Sequence, residues 1–331
     1  MDKLKSMKLL MAGLIFYVVV QVLSAVGVLN GYFMVIINRS LIGVMFAVSL
    51  NLINGITGQF SLGHMGFAAV GAYTSGSITT LIFKLSPRHP EDAVVFVVAI
   101  IAGGIAAAVA GFLIGFPSLR LKGDYLAIVT LGFGEIIRTI LNNIAWVGGP
   151  RGLLGIPKFS TFTVIFVFTM ATIILIRNLV QSSIGRSMLS IRENELASEL
   201  VGVDTTKYKV LGFVVGAFFA GMGGGLLAHL LQIAHPTQYG FYASALILIM
   251  VYVGGIGSLT GSIIAAFSLT FLTEGLRVGI DWLRDTAGVP IGTEWTMVIY
   301  ALLLILIMLF KTEGLLGMRE ASILIIKEKQ G

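Results

Sequence analysis

Cysteine is absent from all 331 residues, so no disulfide, thiolate metal site or thiol nucleophile is possible. Charge is scarce too: Asp, Glu, Lys and Arg make up 11% of the chain, where soluble domains carry about 25%. No Lys follows a Gly anywhere, which removes the Walker A loop and that way of cradling ATP phosphates. A chain so poor in charge has too little polar surface to cover a soluble globule. Instead, 56% of its residues are hydrophobic and its mean hydropathy is +0.97. Forty-one glycines, many inside apolar runs, suit helices packing closely within a bilayer. The pI near 9.5 would also fit a nucleic-acid binder, but the basic residues are not gathered on a soluble face. The composition specifies an all-α integral membrane protein.

Charge-free runs give the number of crossings. They cover 9–38, 40–83, 93–119, 159–176, 210–273 and 295–310. A crossing takes about 20 residues, so 40–83 holds two and 210–273 three. With 125–142, which holds one charged pair, the sequence predicts about ten transmembrane helices. They lie near 9–29, 33–54, 66–83, 93–115, 125–142, 160–177, 210–232, 241–254, 259–274 and 295–310. Residues 1–8 are basic, but the apolar stretch behind them lacks a small-residue cleavage site. That reads as a retained first helix rather than a signal peptide.

Lys and Arg over alternate loops orient the chain. Lys3, Lys5, Lys8, Arg120, Lys122, Arg177, Arg186, Arg192, Lys207, Lys209, Lys311, Arg319, Lys327 and Lys329 fall on one side. Lys84, Arg88, Arg151, Lys158, Arg277 and Arg284 fall on the other. The excess puts both termini in the cytoplasm, as an even span number requires. The chain reads as a single polytopic domain, 1–331, with a cytoplasmic loop at 178–209 and a cytoplasmic tail at 311–331.

The 178–209 loop looks ordered. Ser190 and Glu193 have the spacing of a capping box, and Gly202 can supply the left-handed residue that ends a helix. A helix over 191–201 is expected, with Leu189, Leu196, Leu200 and Val203 on one face beside Arg192, Glu195 and Glu199. Asp204 can cap the helix that follows. The segment is too short and charged to span. It can insert into a groove on a partner or rest on lipid headgroups, and the residues alone leave both open.

Two glycine-rich, uncharged turns stand out, at 54–66 and 254–261. Irregular backbone at membrane depth is tolerated where protein or a water-filled cavity satisfies it, and broken helices offer amide donors to carboxylates. Gln59, Ser61, Gly63 and His64 are therefore candidate lining residues of a translocation path; close helix crossing at the glycines is the competing reading. Glu135 and Arg138, spaced i,i+3, are ionisable groups inside a span and further candidates for the translocation path, with an internal ion pair as the competing reading. Stripes at Gly103, Ala107, Gly111 and Gly115, and at Gly212, Gly216, Gly221 and Gly225, predict close helix packing. His229 and His235 read as structural residues near the interface, and Arg39, Trp146 and Trp295 as interface anchors. The outer loops 84–92, 142–160 and 274–295 mix both charge signs and could dock a soluble protein. No acid or His cluster suggests a membrane enzyme, and Glu135 is the only deeply placed acid that an ion-coupled carrier could use.

The run from Gly185 to Lys209 resembles the ATPase-coupling loop of branched-chain amino-acid ABC permeases of the LivM type. Blocks 58–64, 123–138, 148–153 and 254–261 are similar to that family, in its order, across roughly 38–310. Arg151 departs from it, standing where a small polar residue is more usual. The resemblance implies an ATP-driven importer subunit with no cofactor of its own, acting by alternating access in the inner membrane of a bacterium. It further implies a second, LivH-type permease, two cytoplasmic ATP-binding subunits and an extracytoplasmic amino-acid-binding protein. Coupling would involve Arg192, Glu193, Glu195, Leu196, Ala197, Glu199 and Gly202. Similar permeases serve other amino acids, urea and short amides, so the sequence leaves the particular solute open.

Overall fold

The computed structural model describes residues 2–86, 92–118 and 123–287, with single positions 295, 298, 299, 302, 305, 309, 310 and 314 beyond them. Helices dominate. In chain order they are α1 (Asp2–Ala25), α2 (Gly31–Asn51), α3 (His64–Ser77), α4 (Asp92–Ser118), α5 (Asp124–Asn143), α6 (Phe162–Gln181), α7 (Ser183–Glu193), α8 (Glu195–Leu200), α9 (Thr205–Leu231), α10 (Phe241–Gly254) and α11 (Leu259–Ala287). Among the described residues, six helical stretches are long and apolar enough to cross a membrane: Gly31–Ile56, Asp92–Pro117, Phe162–Gln181, Thr205–Leu231, Pro236–Gly254 and Leu259–Trp282. The expected span at 295–310 lies largely, and the tail at 311–331 almost wholly, outside the described residues.

Two compact units make up the chain. The first comprises Met1–Val44 with Ile249–Gly331. Within it, Phe16 of α1 meets Phe267 of α11 edge-on with ring centroids 5.8 Å apart, and Gly43 of α2 faces Thr270 of α11. At one end Tyr32 donates to Glu274, which also pairs with Arg277. The α10–α11 turn is tight: Gly254 and Gly261 pack backbone to backbone, Ser258 Oγ accepts from the Gly261 amide at 3.0 Å, and Ser258 and Ser262 are buried. In this turn the glycines serve close crossing.

The second unit, Met45–Leu248, is built around α9, which packs on α4 and α3. In lipid no hydrophobic drive presses helices together, so small residues that let backbones approach decide the contact. Both glycine stripes behave this way. A Cβ on Gly111 would stand 2.6 Å from the Ala217 Cβ, one on Gly103 would stand 2.7 Å from the Gly71 carbonyl, and Gly221 backs onto Ala107. Gly216 and Gly225 seat Ile53 and Ser75 in the same manner. His229, in the last turn of α9, is buried. Its Nδ1–H donates to the Gly225 carbonyl at 2.8 Å, leaving Nε2 to accept from the Thr79 hydroxyl at 2.9 Å. A two-residue antiparallel pairing, β1 (Leu153–Leu154) with β2 (Ile233–Ala234), ties the 144–160 loop to the α9–α10 connection.

Candidate functional site

The α2 helix ends in a π-helical turn, Leu52–Ile56, closed by the Thr57 amide donating to the Leu52 carbonyl at 3.1 Å. Such turns arise where one extra residue is held in a helix, and they are frequent at functional sites. The chain then runs irregularly to His64, which opens α3. Asn54 holds this stretch together. Its Oδ1 accepts from the Ser61 amide at 3.2 Å and its Nδ2 donates to the Ser61 carbonyl at 3.4 Å. From α5, Thr130 Oγ1 accepts from the Leu62 amide at 3.1 Å, and Gly63 lies directly on the Thr130 carbonyl. Only a residue without Cβ fits there. From α10, Ser244 Oγ accepts from the Met65 amide at 3.3 Å. Two backbone donors of this turn, Leu62 and Met65, are thus met by protein hydroxyls.

The side chains behave differently. Gln59 is 3% exposed, Ser61 and His64 0%. His64 lies 2.9 Å from Ser49 Oγ through Nε2, and Ser49 donates its own proton to the Phe46 carbonyl, so Nε2 is the donor in the His64–Ser49 contact. That leaves His64 Nδ1 as an acceptor. Nδ1, the Ser61 hydroxyl and both polar atoms of Gln59 have no hydrogen-bond partner among the described residues. Each such atom costs about 1–3 kcal/mol when kept from water. Four of them lie within six residues of this turn.

Glu135 and Arg138 pair within α5 at 2.6 Å, each about one-third exposed. Glu135 Oε1 also accepts from the Phe241 amide at 3.1 Å, the first residue of α10. The pair therefore anchors the start of α10, while His64 bonds to α2.

The 178–209 loop corrects one expectation. Residues 191–201 are not one helix, and Ser190 does not begin one. Ser190 sits inside α7 with its hydroxyl on the Ser187 carbonyl, and the break falls at Asn194. Asn194 is extended, with φ −157° and ψ 106°, and its Oδ1 caps α8 through the Ala197 amide at 3.0 Å. An Asn side chain competes for backbone donors and so favours a cap over a helix interior. Leu189 is consequently on a different helix from Leu196 and Leu200. Gly202 does take a left-handed φ of +86° after α8, and Asp204 caps α9 through the Lys207 amide.

The glutamates of the loop each have a partner within the protein, although Glu193 and Glu199 stay exposed. Glu195 pairs with buried Lys209 of α9, and Glu199 accepts from Thr205 Oγ1 at 2.9 Å. Arg192 reaches the Gly55 carbonyl, and Glu193 pairs with Arg192 at 2.6 Å. Beside exposed Glu199, α8 and its end show apolar side chains to solvent: Leu196 is 66% exposed, Leu200 89% and the following Val201 79%, with Ala197 beside them. Burial of one face against α9 was not legible from the periodicity of so short a helix.

The profile of a family described as "Branched-chain amino acid transport system / permease component" matches residues 32–308. The chain is 33% identical over 323 residues to the high-affinity branched-chain amino acid transport system permease protein LivM of Salmonella typhimurium, covering 87% of this chain and 71% of that protein. LivM of Escherichia coli is also 33% identical, over 86% of this chain and 70% of its own length. The LivH permease of the same organism is 25% identical over 84% of this chain and 92% of LivH.

Proposed function

Because the chain belongs to the branched-chain amino-acid permease family, in its LivM branch, we propose that it carries branched-chain amino acids into the cytoplasm as one half of an ATP-driven importer. It is a multi-pass membrane permease. The turn 52–63 is the gate, and Gln59, Ser61, Gly63 and His64 line the path behind it. Glu135 and Arg138 hold the outer start of α10 against that path. Ten spans put both termini in the cytoplasm, and in a bacterium the membrane is the inner one. The loop 178–209 meets one of two ATP-binding subunits, a LivH-type permease completes the channel, and an extracytoplasmic binding protein delivers the solute. ATP is bound by those subunits rather than by this chain.

The observation that carries this reading is the set of unpartnered polar atoms at Gln59, Ser61 and His64, beside the loop that would receive the ATPase. Alternating access needs two arrangements of one element that differ by only a few kcal/mol. Polar groups sequestered in one arrangement and solvated in the other bring the two close in free energy. Uptake of labelled leucine, urea and a short amide into vesicles holding the full complex tests it. ATP-dependent leucine uptake is expected. Uptake of urea or the amide alone would move the chain to a related importer, and uptake driven by a proton or sodium gradient without ATPase subunits would reject the proposal.

A further inference from the structure

The cytoplasmic loop and the intramembrane turn touch at Arg192. This residue, second from the end of α7, donates from Nη1 to the Gly55 carbonyl at 2.7 Å, inside the π-helical turn. Its Nε and Nη2 donate to Glu193 Oε1 at 3.1 and 2.6 Å. Gly58, at φ +69°, lies beneath the aliphatic stem of the same side chain. A Cβ there would stand 2.8 Å from Arg192 Cγ and 3.1 Å from its Cα. The turn thus presents a backbone carbonyl to the guanidinium and a bare glycine to the stem. Gln59 follows Gly58 directly.

We infer that Arg192 is a positioning residue for transport, a latch that hands movement of α7 and α8 to the 52–63 turn and so sets when Gln59, Ser61 and His64 open. This rests on the importer reading above. Three features support it. The guanidinium is a rigid fork whose separate N–H groups bind Gly55 and Glu193 together, which a lysine ammonium, a point charge on a flexible stem, does less well. A charge-assisted bond to a carbonyl is stronger than a neutral one. And α8 is itself tied to α9 through Glu195–Lys209 and Glu199–Thr205, while Arg192 of α7 bonds to the turn, so displacement of the loop reaches the turn through this side chain.

The test uses the full complex in vesicles and measures uptake per ATP hydrolysed. Arg192→Met keeps the stem on Gly58 and removes the hydrogen bonds. Hydrolysis should continue while uptake per ATP falls about tenfold, the worth of a lost hydrogen bond to a charged group, with Arg192→Lys recovering part of it. Since the chain has no cysteine, Ser61→Cys supplies a single thiol at the turn. Its labelling should respond to ATP with Arg192 present and become indifferent to ATP in Arg192→Met. If Arg192→Met does not assemble, Arg192→Gln takes its place in both measurements. Native coupling with ATP-responsive labelling in the variant overturns the latch alone, and so does loss of the ATPase subunits from the variant complex, which would make Arg192 a docking contact. Absence of ATP-driven uptake by the native complex overturns the importer reading instead.

Discussion

The Nζ of Lys209 lies 2.7 Å from Glu195 Oε1, with the lysine side chain 8% exposed and the carboxylate 25%. Lys209 stands in the first turns of α9 and Glu195 opens α8, so this pair fixes the second loop helix to the base of a membrane-spanning one. Removing one partner leaves the other charge poorly solvated, which is worse than losing a surface pair. Lys209→Met and Glu195→Lys should each loosen the loop by about 1–3 kcal/mol. Faster proteolysis within 194–204 would register it, with the membrane helices intact. The reversal Glu193→Lys, at a side chain 68% exposed, should cost far less. Equal protease sensitivity in the two reversals would refute this.

Leu200 and Leu196 face solvent, 89% and 66% exposed. Apolar anchors at the centre of an interface dominate binding. Leu200→Asp should therefore weaken association with the ATPase subunits by about tenfold or more, without lowering the thermal stability of the permease alone. Co-purification and a melting curve on the same variant check both halves, and unaltered association would leave α8 as a surface helix.

Ser61 carries a buried hydroxyl with no hydrogen-bond partner among the described residues. Deleting such a group removes a desolvation cost, so Ser61→Ala and Gln59→Met should leave stability unchanged or raise it by about 1 kcal/mol. Solute uptake should fall in both. Stability and transport moving in opposite directions is what distinguishes a path-lining residue from a packing one. Reduced stability with unaltered uptake would exclude both residues from the path.

Glu135 caps the start of α10 through Phe241. Glutamine keeps a carbonyl acceptor and loses only a part-exposed ion pair, worth about 0.5 kcal/mol. Alanine loses the cap as well, at about 1 kcal/mol. Glu135→Gln should retain most uptake and Glu135→Ala should lose more. Abolition of uptake by glutamine alone would give the charge a direct part in transport.

Much of this protein is written in its composition. Scarce charge and long apolar runs leave a bilayer as the only solvent in which the chain can fold, and with water gone the backbone must satisfy itself in helices. Although α11 continues beyond its charge-free run to Ala287, through what reads in sequence as an outer loop, most helix positions among the described residues follow, because a charge-free run is a local property. So do the small-residue contacts, since a residue repeated every four positions lies on one helix face whatever it meets. The uncharged turn at 54–66 was likewise visible as a place where helix gives way.

Other features needed partners distant in sequence. The Ser190–Glu193 pair offers a helix start in sequence, but the start falls at Asn194 in the fold, where Glu195 reaches Lys209 and Glu199 reaches Thr205. Glu135 reads as a charge within a span until the fold brings Phe241 to it. The direction of Arg192 depends on a carbonyl 137 residues earlier. Periodicity reports which residues share a face, whereas a hydrogen bond depends on what that face meets, and only the packed chain supplies that.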